Sequence, residues 1–197
     1  MLFRSIKKQF IKSAFTQKKY EMIIDWGCND GLFSEFIVSQ SSAVKCVALD
    51  FDPQVIDKLY LRSKEKRLQI LPLVFDISNP PVDYGLENLE RQSFSKFINV
   101  DLNLAYALVH HLFISENIPW NKIIGLFENK GDLIIEFPLP DDIKVEELLN
   151  LKKNPKEYLE QYNIKNFEDE LKKNFEIINK SKLNSRILYY CKNLNVK

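Results

Sequence analysis

Short apolar segments alternate with amphipathic helical patterns along most of this chain, and that alternation restricts the fold more than any other feature. Strands that alternate with helices form parallel sheets, because each crossover helix returns the chain to the same end of the sheet. The sequence therefore predicts an α/β protein with a doubly wound sheet. The predicted strands cover residues 22–25, 45–50, 69–76, 100–108 and 131–136; the predicted helices cover 31–40, 88–97 and 119–127, with another opened by Asp52 and Pro53.

The last third of the chain has a different pattern. Two apolar segments, 175–179 and 186–192, predict strands joined by a link that is too short for a parallel crossover, so they should form an antiparallel hairpin. This hairpin would complete a seven-stranded sheet that is mostly parallel, with helices on both faces. The remaining predicted helices are 142–152, 155–161 and one from a cap at Asn166 to Lys172.

Residues 1–20 combine basic side chains with apolar residues at helical spacing and contain no acid. One interpretation is a membrane-surface helix or a transit peptide. The other is an amphipathic helix that packs on the rest of the protein and exposes its lysines to water. We favour the second, so the predicted organisation is a packed helix over 1–20 and one domain over 21–197.

Composition excludes several classes of protein. The 197 residues include 28 basic and 27 acidic side chains, and a net charge of +1 makes binding of nucleic acid through bulk charge unlikely. Three scattered cysteines without a CxxC pair suggest neither a disulfide framework nor a zinc site. No apolar run approaches the ~20 residues of a membrane span. We therefore expect a cytoplasmic protein.

Acidic residues end four of the predicted strands. The carboxyl ends of strands in an open α/β sheet line its ligand site. Clustered carboxylates raise one another's pKa and destabilise the fold, unless a ligand supplies an amine, a cation or hydroxyls. The alternative is that each acid caps the following helix. Because three consecutive strands share the feature, we favour the ligand. The four acids are Asp25, Asp50, Asp76 and Glu136.

The glycine turn, residues 25–31 with the sequence DWGCNDG, narrows the choice of ligand. A dinucleotide fingerprint that starts at Gly27 needs glycines at positions 29 and 32, which hold Asn29 and Leu32. A phosphate-binding P-loop needs a Gly-Lys-Ser/Thr ending, which the chain lacks. The turn fits the looser pattern D-x-G-x-x-x-G and uses two of the five glycines in the chain.

These positions resemble the class I S-adenosylmethionine-dependent methyltransferases, which have a Rossmann-like seven-stranded sheet. Asn29 stands where the family's first motif has its middle glycine, and asparagine tolerates the left-handed conformation better than other side chains. The resemblance covers about residues 20–192 and includes the final hairpin. The matching positions are Asp25, Gly27 and Gly31 in the first motif, Asp50 in the second and Asp76 in the third.

Four segments also resemble a bacterial subgroup related to the nodulation protein NoeA. This narrower resemblance supports the fold and the cofactor and implies no particular substrate. The segments are 27–34, 107–112, 134–138 and 185–190.

The resemblance implies a site for S-adenosylmethionine, with S-adenosylhomocysteine as the product. Asp25 and the Gly27 backbone would hold the amino-acid end. Asp50 would accept hydrogen bonds from both ribose hydroxyls, a task that suits a carboxylate. Phe51 would lie against the adenine, and Asp76 would accept from its amino group. The implied cofactor-binding residues are Asp25, Gly27, Cys28, Asn29, Gly31, Asp50, Phe51, Asp76, Ile77 and Tyr106.

His110, His111 and Glu136 are the candidates for a general base that removes a proton from the methyl acceptor. Histidine suits this role because its unperturbed pKa of ~6.5 lies near neutrality. The alternative is that a histidine caps or fills the start of the next helix. No metal is expected, because adjacent residues on a helix point about 100° apart and no third ligand is evident.

The sequence thus predicts an enzyme that transfers a methyl group to a small molecule or biosynthetic intermediate. A non-catalytic domain with the same fold is an alternative, and the acids retained at the strand ends argue against it. An NAD-linked oxidoreductase is disfavoured by Asn29 and Leu32. RNA is a further possible acceptor, because the basic N-terminal helix could bind it. We expect a monomer or a homodimer.

Overall fold

The computed structural model describes residues 2–94, 99–128 and 131–195. In this part of the chain the strands are β1 (Met22–Trp26), β2 (Lys45–Asp50), β3 (Ile70–Val74), β4 (Leu102–Ala105), β5 (Asp132–Pro138), β6 (Phe175–Leu183) and β7 (Arg186–Asn193). The α-helices are α1 (Leu2–Gln17), α2 (Leu32–Val38), α3 (Pro53–Glu65), α4 (Trp120–Gly125), α5 (Ile143–Leu149), α6 (Pro155–Gln161) and α7 (Ile164–Leu171). The strands form one sheet in the order β3-β2-β1-β4-β5-β7-β6.

The chain divides into two compact units. The turn unit is Glu21–Asp101, and the hairpin unit consists of Met1–Tyr20 with Leu102–Lys197. In the turn unit, β2 pairs in parallel with both β1 and β3. Helix α3 begins where it does because Asp52 is its N-cap, accepting a hydrogen bond from the Gln54 N–H at 2.8 Å.

The hairpin unit is built on β5, which pairs in parallel with β4 and antiparallel with β7. Strands β6 and β7 form the antiparallel hairpin. Its aromatic side chains pack together, with Phe137 stacked on Tyr162 at 5.0 Å between ring centroids and tilted against Phe167 at 4.8 Å. Helix α1 turns Ile11 and Ala14 inward, and both side chains are fully buried.

The predicted fold class is confirmed: the sheet has seven strands, is mostly parallel and ends in an antiparallel pair, with helices around it. On α1, Phe10, Ile11 and Ala14 are buried. No helix among the described residues is long and apolar enough to span a membrane. The division into a helix over 1–20 and a domain over 21–197 stays a prediction.

Several predicted boundaries are wrong, and local backbone interactions explain them. Strand β3 ends at Val74, because Asp76 turns its carboxylate onto the Ser78 N–H at 2.9 Å. Strand β4 ends at Ala105, because the backbone turns at Ala107, whose φ is +50°. The cap of α7 is Asn163, which accepts from the Asn166 N–H at 2.9 Å.

Three further predicted segments also differ. Strand β5 continues to Pro138, so Glu136 lies inside the strand and not at its end as predicted. Strand β6 continues to Leu183, so the hairpin link is shorter than predicted. The helix predicted over 88–97 is absent from residues 89–93, and residues 95–98 lie outside the described residues. Next to that segment, the structure has a short 3₁₀ turn at Leu86–Asn88.

Leu59→Ala should lower the free energy of unfolding by about 2–5 kcal/mol, because it removes buried methyl groups from a packed site. Leu59 is 0% exposed and packs in a cluster with Cys28, Ala48 and Ile56. The matched control is Leu61→Ala, since Leu61 lies on the same helix and is 64% exposed; it should change stability by no more than about 0.5 kcal/mol. Urea unfolding measures both variants. Equal losses of unfolding free energy would contradict the buried packing of Leu59.

Candidate functional site

The glycine turn is fixed to the end of β2 by backbone hydrogen bonds. The N–H groups of Gly27 and Cys28 both donate to the Leu49 carbonyl, at 2.8 and 2.9 Å. Three residues of the turn have left-handed backbone, with φ of 73° at Gly27, 47° at Asn29 and 74° at Gly31. Asn29 therefore adopts the conformation that allows it to replace a glycine here.

Gly31 is required for a second reason, which is close packing. A Cβ atom on Gly31 would lie 2.4 Å from Cδ1 of Leu59, inside van der Waals contact. The turn therefore sits directly on α3, and its shape depends on the buried Leu59. This contact joins the turn to the core of the turn unit.

Asp50 ties the end of β2 to the glycine turn. Its side chain is 8% exposed, and Oδ2 accepts a hydrogen bond from the Asn29 N–H at 2.8 Å. The other oxygen, Oδ1, accepts from the Asp52 N–H at 3.1 Å. The next residue, Phe51, is 76% exposed, which is unusual for a large apolar side chain next to a buried strand. A carboxylate beside an exposed ring suits a ligand with hydroxyls and a flat aromatic base.

Asp25 is buried at the end of β1, where it is 2% exposed and accepts a hydrogen bond from Ser34 Oγ at 2.6 Å. Burial raises the pKa of Asp25 to about 7, and the nearby Asp50 raises it further while the Ser34 hydroxyl opposes the rise. The role of Ser34 was not predicted, because nothing in the sequence indicates that α2 turns this hydroxyl toward β1.

The remaining cofactor candidates of the turn unit lie around the same strand ends. Asp76 is exposed two residues beyond β3, and hydrogen bonds from the Ser78 hydroxyl and N–H lower the pKa of Asp76. Ile77 beside it is 7% exposed. Cys28 is 5% exposed, and burial raises the pKa of its thiol, so it is not an activated nucleophile.

The two histidines follow β4 in the hairpin unit and have different environments. His110 is 1% exposed, and burial lowers its pKa to about 3, so its ring is neutral near pH 7. His111 opens a π-helical turn (His111–Ser115) and is exposed. Partial burial, together with the charge of Arg186, lowers the pKa of His111 below its usual value. The two rings lie 4.1 Å apart between centroids.

Glu136 is fully buried on β5 and accepts two short hydrogen bonds at Oε2. Lys7 Nζ donates at 2.7 Å and the Ala107 N–H donates at 2.6 Å. Arg186 lies 3.5 Å from Oε1. Tyr106 is 5% exposed, and its hydroxyl donates to the Lys7 carbonyl at 3.2 Å. Lys7 was not predicted as part of this group, because the sequence places it in a helix remote from Glu136.

The structure thus distributes the predicted site residues over both units. The glycine-turn, ribose and adenine candidates all belong to the turn unit, whereas Tyr106, His110, His111 and Glu136 belong to the hairpin unit. Among the described residues, no group of His, Cys, Asp and Glu side chains is arranged to hold a metal ion.

Comparison with known proteins identifies the fold. No family model matches the chain. The chain is 34% identical over 180 residues to the nodulation protein NoeA of Rhizobium meliloti (strain 1021), an alignment that covers 90% of this chain and 37% of NoeA. An rRNA methylase from Escherichia coli matches 96% of this chain and 64% of its own, with a TM-score of 0.63 at 14% identity.

The chain has the fold of solved methyltransferases. The PH0226 protein from Pyrococcus horikoshii OT3 has a TM-score of 0.63 at 15% identity, with 97% of this chain and 91% of that one covered. The bifunctional kinase-methyltransferase WbdD has a TM-score of 0.59 at 14% identity, with 98% and 39% covered. The chain spans little more than a third of the length of NoeA, so these matches establish the methyltransferase fold and leave the acceptor open.

Asp25→Asn should remove part of the pH dependence of stability. The pKa of Asp25 is about 7 in the folded protein, above the value of about 3.9 expected in the unfolded chain. Between about pH 4 and 7 the folded protein therefore holds a proton that the unfolded chain has released. This group lowers the free energy of unfolding as the pH rises through that window. Urea unfolding at several pH values measures the effect.

The control for this measurement is Asp76→Asn. Because its folded pKa is lowered, Asp76 is ionised in both states above about pH 5, and this variant should differ from wild type by a constant amount there. A difference between Asp25→Asn and wild type that does not change with pH would contradict the raised pKa of Asp25.

Proposed function

We propose that the protein is an S-adenosylmethionine-dependent methyltransferase and that its turn unit binds the cofactor. The observation that carries this proposal is the Asp50 carboxylate, held at 2.8 Å by the Asn29 N–H of a left-handed turn beside the exposed Phe51 ring. The 34% identity to NoeA and the methyltransferase fold support the same cofactor.

The residues of the turn unit fit the chemical groups of the cofactor. Asp50 would accept hydrogen bonds from the ribose hydroxyls, and the exposed Phe51 ring would pack on the adenine. Asp76 is exposed and stays ionised, so it would accept from the adenine amino group, beside the Ile77 N–H. The Asp25 carboxylate would offset the charge of the ammonium group at the other end of the cofactor.

Four further assignments complete the proposed cofactor site. Gly27, Asn29 and Gly31 would let the backbone approach the ligand, and Cys28 would fill the space beneath the turn. Tyr106 was also predicted to contact the cofactor. Its hydroxyl is bonded to the Lys7 carbonyl inside the hairpin unit, and we therefore give it a supporting role there.

The bound cofactor supplies a methyl group on a positively charged sulfur. His111 would take the proton from a hydroxyl or amine acceptor, because it is exposed and its lowered pKa keeps the ring neutral and able to accept a proton near pH 7. His110 is buried with a pKa of about 3 and would orient the acceptor as a neutral hydrogen-bonding group. Glu136 is hydrogen-bonded to Lys7 and to the Ala107 N–H. It would therefore support catalysis by holding the turn at Ala107 that precedes the histidines.

We propose a small molecule or biosynthetic intermediate as the methyl acceptor. The net charge of +1 supports this proposal, since proteins that bind nucleic acid through the phosphate backbone carry excess positive charge. The second candidate is RNA, because a structural neighbour is an rRNA methylase. A cytoplasmic location and a monomeric or homodimeric state stay predictions from the sequence.

Asp50→Asn should weaken binding of S-adenosylhomocysteine by about 10- to 100-fold, because hydrogen bonds to a charged group contribute about 1.5–3 kcal/mol. The matched control is Asp52→Asn, since Asp52 caps α3 and lies two residues away. The affinity of the Asp52→Asn protein for S-adenosylhomocysteine should stay within about twofold of wild type. Isothermal titration calorimetry measures all three proteins. Absence of binding to the wild-type protein at millimolar ligand would overturn the proposed function, and equal affinities would place the ribose elsewhere.

The two acceptor classes differ in their expected RNA binding. With a small-molecule acceptor, a fluorescent single-stranded RNA of about 20 nucleotides should not bind at physiological salt with a Kd below about 100 μM. Fluorescence anisotropy over a salt series checks this expectation. Micromolar affinity that falls with salt at a log–log slope of about −2, the slope of three phosphate contacts on a single strand, would favour RNA as the acceptor.

A further inference from the structure

Lys7 occupies a buried position, where the charge of a lysine destabilises the fold unless a partner compensates it. It lies on the same face of α1 as Phe10, Ile11 and Ala14, which are all buried, and is itself 5% exposed. Burial lowers the pKa of Lys7, because the charged form is poorly solvated there. A helix that merely packs on a core would have an apolar residue at this position. The charge of Lys7 therefore requires a specific partner.

Glu136 is that partner, and its carboxylate also binds the backbone that follows β4. Its Oε2 atom accepts from Lys7 Nζ at 2.7 Å and from the Ala107 N–H at 2.6 Å. Ala107 has a φ of +50°, a conformation that residues other than glycine rarely adopt. Such conformations persist only where the surroundings enforce them. The hydrogen bond from Ala107 to the carboxylate is one such constraint.

The other cation near Glu136 is anchored elsewhere. Arg186 binds Asp142 with two hydrogen bonds, of 2.7 and 3.1 Å, and its nearest approach to Glu136 is 3.5 Å. Lys7 makes the short contact, to the same oxygen that Ala107 uses. The ammonium of Lys7 is therefore the cation best placed to orient the Glu136 carboxylate.

We propose that Lys7 is a positioning residue for the two histidines. Through Glu136 it fixes the Ala107 amide, and the fixed amide sets the turn on which His110 and His111 follow. The proposal rests on the proposed function, because the histidines matter for catalysis only if the protein methylates an acceptor. In this proposal, α1 positions catalytic side chains of the hairpin unit in addition to covering apolar surface.

The test compares Lys7→Met with Lys7→Arg, which restores the positive charge, and with Lys19→Met as a control at an exposed position. NMR measures hydrogen exchange of the Ala107 amide and the titration of His111, which is resolvable because the chain has two histidines. Lys7→Met should speed exchange of that amide at least tenfold and move the pKa of His111 upward toward about 6.5. Lys7→Arg should reverse most of both changes, and Lys19→Met should match wild type.

His111 is a suitable reporter because burial and neighbouring charges set its pKa. Those charges include Arg186, Lys144 and Glu116, so a change in the geometry of the turn shifts the pKa of His111. A helix that served only as an anchor would lose stability in Lys7→Met and leave the titration of His111 unchanged.

A folded Lys7→Met protein with wild-type exchange and titration would overturn the proposal, as would failure of Lys7→Arg to restore them. If Lys7→Met does not fold, Glu136→Gln tests the same link, because it keeps a carbonyl acceptor and removes the charge. It should also speed exchange of the Ala107 amide, and wild-type behaviour would overturn the proposal. Binding of S-adenosylhomocysteine is measured separately in the wild-type protein, so failure of the proposed function is distinguishable from failure of this link.

Discussion

The attachment of the glycine turn to the end of β2 is the interaction on which the candidate cofactor site depends. Leu49 accepts two backbone N–H groups and Asp50 accepts a third, so the turn cannot move without breaking hydrogen bonds at a buried strand end. Leu59 packs against the turn and leaves no room for a side chain at Gly31. The same carboxylate that orders the turn is the one assigned to the ribose. In the proposed function, Asp50 therefore serves both folding and ligand binding.

A buried charge organises the hairpin unit in a comparable way. Glu136 is fully buried, and a buried carboxylate is tolerated only where cations and N–H groups compensate it. Lys7 and the Ala107 amide provide that compensation from two distant parts of the chain. Each unit thus uses a carboxylate on a strand to hold a left-handed turn. Asp50 holds Asn29, and Glu136 holds Ala107.

Sequence patterns predicted the strands well and the ends of elements less well. Apolar runs gave β1 and β2 with little error, because their buried side chains are consecutive. The end of β3 and the cap of α7 were misplaced, since both depend on which side-chain oxygen reaches a particular backbone N–H. The left-handed conformation of Asn29 followed from its place in the motif, whereas that of Ala107 had no signal in the sequence.

The sequence by itself determined the α/β class and the final hairpin and placed four acids at or near strand ends, because hydrophobic periodicity and turn residues are local properties. The partners of those acids were decided only by the tertiary structure. Ser34 reaches Asp25 and Lys7 reaches Glu136 through packing of helices on strands, over separations of 9 and 129 residues. Burial, which sets the pKa of Asp25 and of His110, is likewise a property of the folded chain. The ligand site near the strand ends stays a prediction from the sequence, whereas the folded environment decides the protonation states of Asp25 and His110.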